Sequence, residues 1–272
     1  MNSTPLDTAW RKTASAVYRK PVDSKMLGSV SLDVTALEQF IRDQRQAGAK
    51  VTMTHFFVLA LARGFDTAVP ELNCYLRLGK ITPRPGVDAT LSVLIKGGTE
   101  MGSVLVTNAH RHTLTTLANW LNEELQKSRK GQESATMSNK NLLSGIPWPF
   151  RNWLVRVVKL VTIDLGLSFP PLGLSAGSFG SFVLTNIGSI GIDIGYPALL
   201  PLSNVSSVIS MGQPQSKAVV INNEIHIRRI LTLSAAIDHR LADASHAGRL
   251  FNHLKKMVRE PHLLNELPDS GA

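Results

Sequence analysis

One short stretch brings together a histidine, two carboxylates and an arginine: Asp238-His239-Arg240, followed by Asp243. It comes after an apolar run, Ile230 to Ile237, and before an amphipathic helical pattern. A histidine at the mouth of a buried strand can serve as a general base, because this side chain titrates nearest to neutral pH. The plain alternative is an ordinary strand-to-helix turn carrying one of eight histidines. The best hydroxyl to accompany it is Thr185, near the end of an apolar segment and just before Gly188. A transferase in which histidine deprotonates a thiol and a hydroxyl steadies the tetrahedral oxyanion needs only these two groups.

Other chemistries have weaker support. His110-x-His112 is too closely spaced to share an ion from one helix face, and His239 with Asp243 lacks a third ligand, so no metal is expected. No phosphate-cradling glycine loop of the Walker or Rossmann type is seen, and a serine nucleophile elbow is not expected. His55 fits better as a polar residue in the first turn of a buried helix than as a catalytic group. The net charge of +9 permits an anionic partner. Yet lysines and arginines are scattered and only 6% of residues are aromatic, so nucleic-acid binding is not expected. One cysteine, Cys74, rules out a disulfide framework. With no signal-peptide core at the N-terminus, a cytoplasmic setting is expected.

Hydropathy periods place these residues on elements. Ser29–Asp33 alternates as a strand, and Thr35-x-x-Glu38 has capping-box spacing ahead of a helix to about Ala47. From Thr54 a helix apolar nearly all round runs to Pro70. Val87–Ile95 and Gly102–Val106 read as a hairpin, and Thr113–Arg129 as a helix. Ser181–Ile187, Val205–Met211, Ala218–Ile221, Ile225–Ile230 and Ile230–Ile237 read as strands, with a hairpin turn at Asn222-Asn223-Glu224. A final helix carries Ala247, Leu250, Leu254 and Val258 and stops at Pro261. The mixture predicts an α+β fold with a mixed sheet. The segment 142–177 is unusual, with a basic amphipathic helix carrying Leu154, Val157, Val158 and Val161 on one face. Packing on its own protein is favoured over an interfacial, membrane-associated role.

Three segments resemble the catalytic domain of the dihydrolipoamide acyltransferases of 2-oxo acid dehydrogenases. The D-H-R-x-x-D-G signature reads Asp238-His239-Arg240-Leu241-Ala242-Asp243-Ala244. G-T-F-T-I-S-N-L-G reads Gly180-Ser-Phe-Val-Leu-Thr185-Asn186-Ile187-Gly188. P-E-V-N reads Pro70-Glu71-Leu72-Asn73. The resemblance implies a chloramphenicol acetyltransferase-like two-layer sandwich and one catalytic domain over 1–272, with an atypical insertion at about 142–177. It implies His239 as the base on the thiol of coenzyme A or dihydrolipoamide, Thr185 as the oxyanion hydroxyl, and Asp243 ordering the site. It further implies a homotrimer or larger assembly with the site between subunits. It implies that acyl-CoA is a substrate, that no lipoyl group is attached to this chain, and that any lipoyl or other acyl acceptor is a separate partner.

Two departures favour the alternative of an inactive trimeric or cage-forming scaffold. Ala244 replaces a glycine, which would be strained if the position needs positive φ. Glu100–Val104 replaces the family's G-L-x-x-P-V.

Overall fold

The computed structural model describes residues 24–95, 100–129, 147, 150–167, 177, 179–199 and 203–267. Its frame is a seven-stranded mixed sheet, formed by β1 (Lys25–Asp33), β4 (Ala89–Ile95), β5 (Glu100–Val106), β6 (Phe182–Asn186), β7 (Ser207–Met211), β8 (Gln215–Ile221) and β9 (Glu224–Asp238). The order is β1-β9-β7-β6-β4-β5, with β8 also on β9. The β4–β6 and β6–β7 pairs are parallel and the others antiparallel. A separate two-stranded hairpin joins β2 (Cys74–Arg77) to β3 (Lys80–Pro83). The expected α+β class and mixed sheet are thus present.

The two expected strands meeting at Ile230 are one strand, β9. Its first half pairs with β8 and its second half with both β7 and β1. The change of neighbours at Ile230 leaves no break in the backbone, so hydropathy alone divides what the ladder joins. The β8–β9 turn has Asn222 and Asn223 at φ 51° and 63°. Two consecutive left-handed residues match the twist of a two-residue hairpin, and asparagine tolerates that conformation.

Helices α1 (Thr35–Gln46), α2 (Met53–Arg63), α3 (Leu114–Arg129) and α5 (Ala244–Arg259) complete the main core. Successive strand residues face opposite sides, so Leu231, Leu233, Ala235 and Ile237 of β9 join that core, while Thr232, Ser234, Ala236 and Asp238 face away. Helix α2 is buried from His55 to Arg63, as its uniform hydropathy predicts. Its N-cap is Thr52, whose hydroxyl accepts from the His55 N–H at 3.3 Å. The capping box expected at Thr35 and Glu38 does not form. Asp33 instead accepts from the Thr35 N–H at 3.0 Å, and Glu38 pairs with Arg229 at 3.2 Å.

His55 is buried with no hydrogen-bond partner for Nδ1. Desolvation, with the nearby Arg45 charge, lowers its pKa from 6.5 to about 4. The unfolded chain therefore binds the extra proton more readily. Stability should be fully present above about pH 6.5 and decline as pH falls toward 4, by up to ~3 kcal/mol from this group. Denaturant unfolding of His55→Gln beside the parent, from pH 7.5 to 4.5, should show a shallower pH slope in the variant.

In the unusual segment, α4 (Phe150–Lys159) runs into a wide turn, Leu160–Asp164. The turn packs on the small hairpin: the Leu78 N–H donates to the Asp164 carbonyl at 3.1 Å, and Thr162 and Ile163 are buried. Phe150, Trp153 and Leu160 remain exposed. The rest of the segment, including most of 142–149 and 168–176, lies outside the described residues. No helix among the described residues is long and apolar enough to cross a membrane.

Candidate active site

Strand β9 delivers the histidine, and an ion pair between the buried Asp238 and the exposed Arg240 shapes the turn that holds it. The Asp238 carboxylate lies almost out of solvent. It accepts from Arg240 Nε at 2.9 and 3.1 Å, from Nη2 at 2.6 Å and from the Arg240 N–H at 3.0 Å. Burial alone would push this carboxyl up, but the Arg240 bonds and charge outweigh it and hold the pKa below the ordinary value. The Asp238 carbonyl also accepts from Leu241 and Ala242, which closes the turn. Arg240→Met would remove the guanidinium and leave the carboxylate only the main-chain N–H of residue 240 and the Ser24 hydroxyl at 3.5 Å. It should lower stability by about 2 kcal/mol, measured by urea unfolding at pH 7, with the loss shrinking toward pH 4 as Asp238 takes a proton.

The imidazole of His239 stands at the surface of this turn. Its Nδ1 lies 2.8 Å from the Ala242 carbonyl oxygen. A carbonyl only accepts, so Nδ1 carries the proton and Nε2 presents its lone pair outward. This tautomer is the one a base needs, and the backbone enforces it without a carboxylate.

Asp243 therefore has a different task. It is the N-cap of α5, accepting from the Ser245 N–H at 2.8 Å, the Ser245 hydroxyl at 2.7 Å and His246 Nδ1 at 2.9 Å. These bonds hold its pKa far below the ordinary carboxylate value. Asp243 fixes where the helix starts, and so fixes the Ala242 carbonyl that orients His239. Ala244 is the first residue of α5 and is not among the residues with positive φ. The strain expected from losing glycine here is absent.

Thr185 sits near the end of β6. Beside it, the Asn186 side chain donates to the Thr54 hydroxyl at 3.0 Å and accepts from the Ser189 N–H at 3.1 Å, anchoring the turn after the strand. Gly188 is needed because a Cβ there would come within 2.7 Å of the Gly212 and Gln213 backbone. The strand register also shows what hydropathy could not. Ser103, Ser92, Thr185, Ser210, Ser234 and Ser29 lie side by side across six strands. Thr185 is thus one of a row of hydroxyls on the sheet face away from the helices. Ser210 donates to the Gly195 carbonyl, Tyr196 donates to Ser29 at 3.2 Å, and the buried Ser234 hydroxyl has no partner. Thr185, Ser92 and Ser103 are only partly buried.

Pro70-Glu71-Leu72-Asn73 ties the other two segments together. Asn73 Oδ1 accepts from the Ser181 hydroxyl at 2.6 Å, and Glu71 pairs with Arg249 of α5 at 2.9 Å. One motif therefore braces both the Thr185 strand and the helix that follows the His239 turn. Nothing in its composition signalled that contact.

Within one chain His239 and Thr185 are not brought together. Thr185 is in register with Ser210 and Ser210 with Ser234, so β7 separates the two strands. His239 lies five residues beyond Ser234, roughly 17 Å along the strand and roughly 10 Å across. One copy of this chain cannot place both groups on one reacting carbonyl.

Among the described residues no group of three or more His, Cys, Asp or Glu could hold a metal ion. His110 lies within a short 3-10 turn, Ala109–Arg111, and His112 follows it. The G-x-S-x-G spacing, not expected above, does occur once, at Gly173-Leu174-Ser175-Ala176-Gly177. Ser175 lies outside the described residues.

This architecture defines a chloramphenicol acetyltransferase-like fold. It matches the solved structure of a chloramphenicol acetyltransferase over 87% of this chain and 89% of that one, with TM-score 0.50 and 12% identity. It matches a probable dihydrolipoamide acetyltransferase from Listeria monocytogenes over 100% of this chain and 98% of that one, with TM-score 0.66 and 17% identity. Within that class, residues 174–265 match the family of 2-oxoacid dehydrogenases acyltransferase (catalytic domain). The dihydrolipoyllysine-residue acetyltransferase component of the pyruvate dehydrogenase complex of Acholeplasma laidlawii is 37% identical over 90 residues. That alignment spans 31% of this chain and 15% of the relative, so the chain matches only a small part of the relative's length.

Proposed function

We propose that the protein is an acyltransferase that moves an acyl group between coenzyme A and a thiol of the lipoyl type, or another small acceptor. The observation that carries this reading is the Nδ1–Ala242 contact, which leaves Nε2 of an exposed histidine as a free acceptor. Nε2 removes the proton from the attacking thiol, and the sulfur forms a bond to the thioester carbonyl carbon. The carbonyl electron pair moves to oxygen, where the Thr185 hydroxyl donates to it. Collapse expels the other sulfur as thiolate, which takes the proton back from Nε2. Since one chain keeps His239 and Thr185 apart, each site takes its histidine from one subunit and its threonine from the next. A closed homo-oligomer, a trimer in this reading, supplies that geometry. A cytoplasmic setting belongs to the same reading and suits the free, buried thiol of Cys74.

The test is thiol exchange. Acetyl-CoA and longer acyl-CoAs are incubated with dihydrolipoamide and the protein, and acyl-dihydrolipoamide is quantified. Catalysed transfer is expected. No transfer above the buffer rate with any acyl chain would sink the enzyme reading.

A further inference from the structure

At the far end of β9 from His239 lies an open cleft of about 710 Å³. The end of β1, the β8–β9 hairpin, the start of α1 and the end of α5 enclose it. Four cations line it: Lys217, Arg228, Lys255 and Arg259.

Their arrangement is costly in the free protein. Lys217 and Arg228 are directly opposed across the β8–β9 ladder, where like charges repel. Lys255 and Arg259 are one turn apart on α5, also a repulsive spacing. Asp33 is the one carboxylate in the lining, and it stands 3.8 Å from Arg228 Nε. Its other oxygen is taken by the Thr35 N–H and hydroxyl, at 3.0 and 2.6 Å. Arg228 Nε is buried and makes no hydrogen bond among the described residues. Among the described residues no acidic partner faces Lys217, Lys255 or Arg259. The last turn of α5 favours cations through its carbonyl ends. That accounts for Arg259 but not for the two strand cations, Lys217 and Arg228, in the same lining.

We propose that this cleft binds a small molecule carrying two or more phosphate groups, of the nucleoside polyphosphate class. Its volume is that of a small-ligand site. Several cations from separate elements suit a chain of phosphates better than a single carboxylate, and arginine offers a fork of donors to phosphate oxygens. The site is separate from the acyl-transfer groups. Ile230 is nine residues from His239, roughly 30 Å along the strand. Binding here does not rest on the acyltransferase reading.

Calorimetric titration of the full chain with inorganic tripolyphosphate and with adenosine triphosphate, at about 0.15 M salt, tests it. One saturable site per chain is expected, weakened at least tenfold in Lys217→Glu/Lys255→Glu and unchanged in Arg156→Glu/Lys159→Glu. Tighter binding of the nucleotide assigns a base or ribose contact, and equal binding assigns the phosphate chain alone. In the absence of ligand, Lys217→Glu should melt no lower than the parent, because it relieves repulsion. Loss of saturable binding in the parent overturns the proposal. So does equal weakening by both double variants, which would mark a general charge effect. Binding of an RNA oligonucleotide but not of either small probe overturns it as well.

Discussion

His239→Ala is expected to lower kcat for acyl transfer by about a thousandfold while leaving the KM for acyl-CoA within about threefold. Among the described residues the ring makes one hydrogen bond, Nδ1 to the Ala242 carbonyl, so its removal leaves the turn standing. That turn is held by the Asp238–Arg240 pair and by the Asp243 cap, neither of which involves the imidazole. Thermal unfolding of the variant should therefore stay close to the parent. Because the ring is exposed, added free imidazole should restore part of the lost rate by entering the vacated space. Unchanged turnover in His239→Ala would remove the histidine from the mechanism. A large fall in melting temperature would reassign it to structure.

Much of this arrangement is legible in the sequence. The β4–β5 hairpin and helix α5 follow from alternating and 3.6-residue hydropathy, and the Asn222-Asn223 turn from residues that tolerate left-handed backbone. What remained hidden was set by contacts distant in sequence. Thr35 and Glu38 have capping-box spacing, but Asp33 is nearer to the Thr35 N–H and Arg229 claims Glu38. Asp243 reads as a partner for the histidine four residues before it. The fold makes it a helix cap and leaves the orienting bond to the Ala242 main chain, a group no side-chain motif can reveal. The hydroxyl row depends on register across six strands, and a slip of one residue in any of them would turn its member to the other face. The bracing of Ser181 by Asn73 joins residues 108 apart in sequence. The motifs thus point to the groups proposed to react, while the contacts that hold them come from tertiary pairing.

Chains carrying His239→Ala and chains carrying Thr185→Ala should each be nearly inactive, yet an equimolar mixture unfolded and refolded together should recover about a quarter of the parent activity. The separation of the two groups within a chain forces this outcome if the site is shared. Each interface needs an intact histidine from one subunit and an intact threonine from its neighbour. With random assembly each is present about half the time, so about one interface in four is complete. Thr185→Ala alone should cost about a hundredfold or more in kcat through loss of an oxyanion donor, and Thr185→Ser should retain most of the rate. Both substitutions lie clear of the Asp238–Arg240 pair and of the Asn73–Ser181 brace, so the hybrids should fold. Native mass spectrometry of differently tagged chains reports whether mixing occurred. A mixed assembly no more active than its parents would mean that the two groups do not meet across a subunit boundary. Recovery near a quarter would place the histidine and the threonine on one reacting carbonyl.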